Sequence, residues 1–486
     1  MEASLEKDDK AGLDHHTDEV GSDISSAHYQ YLVHRHGTAH LDPLPQPSDG
    51  DPLNWPSFQK WLQLSMVAFH GFFSTFQASG QVPGFEQFSE DMGVTIERAS
   101  YLTSAQIVII GWMPWVWLPI MNRYGRHKLL MVSVLGSMAF NIGSVFATSD
   151  YGTLMALRCL SAFFISPGIA VGGAVVKETT FAHQRASRSG VWALSVNIGT
   201  IAGPIFMGFV MQRIATKWIY VVFSATNFAQ FVAYLIFGRE TLYDPKSQVI
   251  APLGVWSKAW WTLKPVRDDN PVTIAKILAP AKLFLNWQVF LCAIVNCVCF
   301  TYVNIAPNVD LPQIFVHKFQ MGPQALGLCF IAFLIGFIVG EHTGYLSDWL
   351  MKKSKNPNPR QRLWLTYPGF TTAIVGLVVF GVQVQNLHTF NISPLVGLVI
   401  GSFGLQMITT TLIAYCIDLV PSQASEVALF LTAIRQTHAF VGPFYFPPMF
   451  ASMGYLGAFG LMAGLVGVVW LPIIALHILY PKIHHQ

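Results

Sequence analysis

Charge is what this sequence has least of. Asp, Glu, Lys and Arg make up 11% of the 486 residues, against about 25% in soluble globular chains. A soluble protein of this length needs charge to cover its surface. This one offers Phe 36, Trp 14 and Gly 39 instead, the composition of a surface that meets lipid. A net charge of +3 is too small to argue for a nucleic-acid partner. Cysteine is also sparse. Cys159, Cys292, Cys297, Cys299, Cys329 and Cys416 all fall in or at the ends of apolar runs. None has the flanks of a zinc site or a redox pair, so they read as small packing residues. The chain has no G-x-x-x-x-G-K-[ST] loop, which argues against ATP-driven work. No Asp pair, Ser–His pair or metal-ligand set lies within the apolar runs, which argues against an intramembrane enzyme. No cofactor or metal is expected.

Residues 1–58 hold eleven acidic residues, three basic ones and six histidines. They lack the short apolar core of a secretory signal and read as a disordered tail. His15, His16, His28, His34, His36 and His40 match no ligand spacing.

What the chain has in abundance is long apolar runs. A helix needs about 20 apolar residues to cross the hydrocarbon core. Twelve runs qualify: 61–79, 102–120, 129–147, 153–176, 191–211, 218–237, 289–309, 327–346, 365–384, 395–415, 427–450 and 456–479. We refer to them as spans 1 to 12. They are continuous and too long for the alternating segments of a β-barrel.

Orientation follows from the basic residues of the loops. With both termini in the cytoplasm, the inside loops and C-terminal tail hold nineteen Lys and Arg, and the outside loops hold four: Arg98, Arg213, Lys217 and Lys318. The chain divides at 238–288, with six spans on either side, the layout of two bundles around a central cavity.

This division suggests the major facilitator superfamily, and the motifs strengthen the resemblance. The loop after span 2 reads Asn122-Arg123-Tyr124-Gly125-Arg126-His127-Lys128, which resembles the signature G-x-x-x-D-R-x-G-R-[KR]-[KR]. Leu118 stands where the first Gly is expected and Asn122 where the Asp is. A partial copy follows span 8, Gly344 to Asp348, with both Gly and Asp present. In the superfamily the Asp belongs to a lock that holds the two halves in one state, so the resemblance implies a weaker first-half lock here. Plain topology anchoring by basic residues is the alternative. Span 5 carries Gly199, Gly203, Pro204 and Gly208, which resemble the antiporter motif G-x-x-x-G-P-x-x-G-G with Met207 at the penultimate Gly. Gly442-Pro443 repeats the theme in span 11, 239 residues on. Asp51 to Pro56, and the stretch from Tyr415 to Phe444, are similar to fungal drug:proton antiporters.

Ionisable groups within spans are costly, by about 2.5–3.5 kcal/mol at the centre on insertion scales, and so are functional candidates. Arg158 ends the sequence Met155-Ala156-Leu157-Arg158, which resembles the superfamily's fourth-helix L-x-x-R; the resemblance implies proton coupling or substrate contact. An arginine that snorkels to the interface is the alternative. Glu341 is the one carboxylate well within a span, beside the stripe Gly336, Gly340, Gly344. A carboxylate held away from water suits a group that takes a proton on one side and releases it on the other; a fixed partner for Arg435 or another buried donor is the other reading. His70, His342 and His438 are further proton candidates. Phe72, Phe76, Tyr302, Phe440, Phe444 and Tyr445, with Arg158 and Arg435, are the candidates for a substrate cavity. Such aromatics favour flat, apolar or cationic compounds.

The expectation is an all-α integral membrane protein of the major facilitator fold, with 12 helices in two pseudo-symmetric bundles, 59–237 and 289–480. A cytoplasmic loop, 238–288, joins them, and tails 1–58 and 481–486 flank them. The resemblance implies a monomeric plasma-membrane transporter whose partners are protons, lipid and a small organic substrate. Proton-coupled efflux of a drug, toxin or secondary metabolite is the first reading. Proton-coupled uptake of a nutrient or an organic cation such as a polyamine is the second, and a transport-dead receptor the third.

Overall fold

The computed structural model describes residues 25–243, 265–267, 270–353 and 359–479; a few side chains within the helices, Asp310 and Asp348 among them, are outside that description. Among the described residues every regular element is helical. Among the described residues nine helices are long and apolar enough to cross a membrane, and ten if the pair Ile96–Trp112 and Pro114–Tyr124 is one span bent by 44°. The bend falls at Pro114, which supplies no backbone donor.

One of the nine, Pro421–Ile478, is 58 residues long and folds back on itself at Gly454. The φ there is 67°, a setting that favours glycine. The rings of Phe450 and Phe459 lie 5.4 Å apart, whereas nine residues of straight helix would separate them by about 13.5 Å. The Ser57–Ser79 helix has the length of a span but falls short in apolarity, because His70, Ser74, Thr75, Gln77 and Ser79 line its buried face. Counting the fold-back as two and adding Ser57–Ser79 brings ten to the expected twelve. Span 7 is longer than its apolar run. It continues from Trp287–Phe300 through one turn of π-helix, Thr301–Ile305, into Ala306–Phe319.

The segment before span 1 differs from the tail expected over 1–58. Residues 1–24 lie outside the description, but a helix at Ser26–His36 follows, capped by Ser25 and by Gly37 in the left-handed region. Leu32, Leu53 and Trp55 are buried. Asn54 is the hub: its Nδ2 donates to the carbonyls of Gln46 and Ser48, Arg35 donates to its carbonyl, and His36 meets its Oδ1 at 2.9 Å. The edge of His36 rests on Phe181 beyond span 4, 5.4 Å between centroids. A low apolar count suggested disorder, but a few buried side chains and paired amides suffice when a bundle is there to pack on. Of the 238–288 loop, residues 244–264 and 268–269 lie outside the description, as do 480–486.

The two halves carry matching ion pairs. Arg126 meets Glu178 at 2.7 Å in the first half, and Arg362 meets Asp418 at 2.7 Å in the second. The arginines are 236 residues apart and the carboxylates 240, close to the 239 that separates the Gly-Pro pairs.

Candidate transport site

Helix packing sets the frame. Within the first half, spans 1 and 5 approach so closely that a methyl group at Gly199 would sit 2.1 Å from the Phe72 carbonyl oxygen. One at Gly203 would sit 2.6 Å from that of Phe76. Small residues permit such contact. Farther along span 5 the neighbour changes. A methyl at Gly208 would lie 2.5 Å from the carbonyl oxygen of Pro323, and one at Gly327 would lie 2.5 Å from that of Pro204. Span 5 is thus held to its own bundle by Gly199 and Gly203, and meets span 8 of the other bundle through Pro204 and Gly208. The helix runs unbroken through Pro204, from Ala182 to Met211. On the opposite side spans 2 and 11 lie together. Tyr101 stacks on Phe444 at 4.3 Å, Trp112 donates to Thr437 Oγ1 at 2.8 Å, and Trp115 donates to the Leu429 carbonyl at 3.3 Å.

Between these two contacts lies a cleft lined by Asn197 and Thr200 of span 5, Phe300 and Asn304 of span 7, Phe337 of span 8, Leu405, Gln406 and Thr409 of span 10, and Arg435 of span 11. Its volume is about 330 Å³ including the part open to solvent, with room inside for little more than water. Asn304 belongs to the π turn, a feature common at functional sites. Arg435 lays its guanidinium on Phe300, 4.4 Å from the ring centroid, and its buried Nε has no hydrogen-bond partner. Glu341 is set beside the wall by the glycine stripe of span 8: Gly336 packs on Ser402 and Val399, and Gly340 on Gln406. Gln406 Nε2 donates to Glu341 Oε2 at 2.5 Å and to Thr410 Oγ1 at 3.2 Å. Glu341, the carboxylate that the sequence places deep in a span, therefore touches a cleft residue, but no ion pair joins it to Arg435 among the described residues.

Arg158 does not line this cleft. It is fully buried in the first bundle, where Nη1 donates to Asn141 Oδ1 at 2.6 Å, and Nη2 to Gln106 Oε1 at 2.6 Å and the Gln77 carbonyl at 2.8 Å. Tyr220 and Phe223 cover it at 5.2 and 5.3 Å. Ser137, Ser161 and Asn227 extend the network. It does not snorkel either. Its charge is spread over amide oxygens of spans 1, 2 and 3, which joins them to span 4, and its Nε is left without a partner.

The family model of the Major Facilitator Superfamily matches residues 67–447. The chain belongs to the major facilitator superfamily. It is 25% identical to the efflux pump vrtL of Penicillium aethiopicum over 86% of this chain and 85% of that one. It is 24% identical to the efflux pump radE of Floropilus chiversii over 86% and 82%, and 24% identical to the MFS-type transporter oryF of Aspergillus oryzae over 83% and 86%. In fold it resembles the crystal structure of the human organic anion transporter MFSD10 (TETRAN), with a TM-score of 0.53 at 14% identity, covering 86% of this chain and 100% of that one. The protein is thus a multi-pass membrane transporter of the superfamily and not an enzyme.

The signature loop of this superfamily member is locked differently from what Asn122 alone suggested. Arg126 is gripped by Glu178 through Nε and Nη2 at 2.7–2.9 Å, and Nη2 also donates to Asn122 Oδ1 at 2.8 Å. Glu240, just past span 6, accepts the backbone N–H groups of Arg126 and His127 at 2.8 and 3.1 Å, capping the N-terminus of span 3, where a negative charge is favoured. Burial pushes the Glu240 carboxyl above its usual range, against those N–H groups. The charge missing at Asn122 is supplied by Glu178, and every contact named here stays within the first bundle. Arg123 is outside this grip and lies over Tyr124. Gly125 takes a φ of 99°, open to glycine alone without strain. In the second-half copy Gly344 has ordinary space, with Thr410 at 3.6 Å, and the side chain of Asp348 lies outside the description. Gly442 packs on Phe446 and on Thr301 of span 7, and Pro443 lies inside the helix.

The other candidates scatter. His70 is fully buried in the first bundle, with Tyr234 and Ser133 hydroxyls on its two nitrogens at 3.2 and 3.3 Å. His342 is exposed and bonds the carbonyl of its own helix at Ile338, 3.0 Å away. His438 sits edge-on to Tyr302, 5.6 Å away, with its Nδ1 toward the Cys297 carbonyl. Phe72 and Phe76 belong to a ring stack between spans 1, 5 and 6. Phe440 packs on Phe444 and Tyr445 on Phe446. Of the cavity candidates, only Arg435 is on the cleft wall. The reading missed Asn197, Thr200, Asn304, Gln406 and Thr409, whose signal was present: single amides and hydroxyls inside otherwise apolar runs.

Proposed function

We propose that the protein exports a small organic compound across the plasma membrane in exchange for protons. It works as a monomer with both termini cytoplasmic and rocks its two bundles about the cleft. The single observation that carries this reading is the cleft between the halves, bordered at one end by the Gly208–Pro323 and Gly327–Pro204 contacts. These last only while the halves touch, so a rigid-body movement of the halves would expose the cleft from that end. With the termini cytoplasmic, that end is the outer one. Export is supported by the relatives named efflux pumps. Coupling is assigned to Glu341: ionised, it accepts from Gln406, and protonated, it loses its charge and gains an O–H donor, so its hold on the cleft wall changes. The test is flux in proteoliposomes over a compound panel, with and without a pH gradient. Outward movement against a concentration difference, driven by inward protons, supports the reading.

One observation favours uptake instead. Among the described residues Arg435 is the only ionisable group on the cleft wall, and a proton on Glu341 would help an anion bind there, so the two would travel together. The same assay separates the readings by the direction of the proton current.

A further inference from the structure

Three other arginines of the bundles have oxygen partners on the guanidinium, although Nη1 of Arg126 and Nε of Arg158 are also buried without one. Arg126 and Arg362 are each held by a carboxylate, and Arg158 by three oxygens. Arg435 differs. Among the described residues it has no ion pair and no hydrogen bond, its Nε is buried without a partner, and its recorded contact is the face of Phe300. A buried donor left so is costly unless something else completes it, and a guanidinium is completed best by a planar anion that takes two parallel N–H bonds.

We infer that the substrate is an aromatic organic anion, its carboxylate or equivalent group on Arg435 and its ring beside Phe300 and Phe337 once the halves part and the cleft, here little wider than a water, opens. This rests on reading the cleft as the substrate site. The rest of the wall agrees. Asn197, Thr200 and Asn304 add donors, and no wall residue is acidic. Glu341, the carboxylate tied to the wall, stands behind Gln406. An organic cation is disfavoured twice: it meets the positive charge of Arg435, and the Phe300 face that would receive it is already covered by the protein's own guanidinium. Of the flat, apolar or cationic compounds that the aromatic-rich spans favour, this proposal keeps the flat ring and replaces the cation with an anion.

The test is binding to the purified full-length protein in detergent, which does not depend on transport direction or on protons. Aromatic acids are matched with amines and amides of the same ring, beginning with 2-naphthoate, (2-naphthyl)methylammonium and 2-naphthamide, and ranked by the thermal shift they cause. Acids should stabilise the protein and their matched ammonium compounds should not. Arg435→Gln should weaken acid binding about tenfold or more, and Arg435→Lys should keep part of it. If Arg435→Gln does not fold, Arg435→Lys and Asn304→Ala carry the test, each with a measurable loss for acids and none for amides. The inference is overturned if no acid is among the stabilising compounds, if ammonium compounds bind as well as acids, or if acids bind undiminished to these variants. Acid binding without any flux in proteoliposomes would instead strike the transporter reading and leave the site's charge preference standing.

Discussion

One methyl group at Gly208 should move the protein between states, whereas the same group at Gly203 should only loosen it. At Gly203 the new carbon would lie 2.6 Å from Phe76 O and Ser79 Oγ. Ordinary contact begins at 3.4 Å, so spans 1 and 5 must part by about 0.8 Å (3.4 less 2.6). Both helices belong to one bundle, so the strain, about 1–3 kcal/mol for overpacking, is present in every state and shows as lost thermal stability. At Gly208 the carbon would lie 2.5 Å from Pro323 O, across the interface. That clash exists only while the ends of spans 5 and 8 meet. The same 1–3 kcal/mol then falls on one state and shifts the equilibrium by about 5- to 150-fold. Spin labels at the exposed positions Arg213 and Ala325 read the separation of those ends. Gly208→Ala should enlarge the long-distance population with little change in melting, and Gly203→Ala should do the reverse. If Gly208→Ala lowers stability as much as Gly203→Ala and leaves the distances alone, the division of span 5 into a packing part and a gating part is wrong.

Three further outcomes follow from the first bundle. Glu178→Gln strips the carboxylate from the mostly buried Arg126 and should cost about 3 kcal/mol in melting experiments, whereas Glu178→Asp should cost less. Asn122→Asp adds a charge to a grip that lies within one bundle, so accessibility of the cleft to thiol reagents should change by no more than about twofold, since two halves that do not meet there gain no differential contact. Deleting residues 1–45 removes the Ser26–His36 helix and leaves Asn54 without His36 and Arg35; we expect lower thermal stability, with Leu32→Ala alone costing about 2–3 kcal/mol for a fully buried leucine.

Twelve spans were legible because each is about 20 apolar residues long, and lipid imposes that length on any helix that crosses it. The close contact at Gly203 was legible for the same kind of reason: four-residue glycine spacing faces one neighbour. Which neighbour was not, since Gly203 and Gly208 look alike in sequence and meet different bundles. The lock was misread at Asn122 because Glu178 and Glu240 are 56 and 118 residues away from it, and only the fold brings them to Arg126. Counting charges in spans found Arg158, Glu341 and Arg435 alike, but burial separates them. Arg158 is consumed by amides of its own bundle, Arg435 is left open, and Glu341 is joined to the cleft by one glutamine. The packed segment before span 1 was missed because composition measures how much apolar surface a segment has, not what waits to receive it.

Uphill flux in Glu341→Gln proteoliposomes isolates the proton's passage through this carboxylate, because the amide keeps the shape and one hydrogen bond to Gln406 while removing the titration. Transport driven by a pH gradient should be lost while exchange of substrate for substrate continues, since that half of the cycle moves no net proton. Full pH-driven accumulation in Glu341→Gln would contradict this and would leave the coupling to another group.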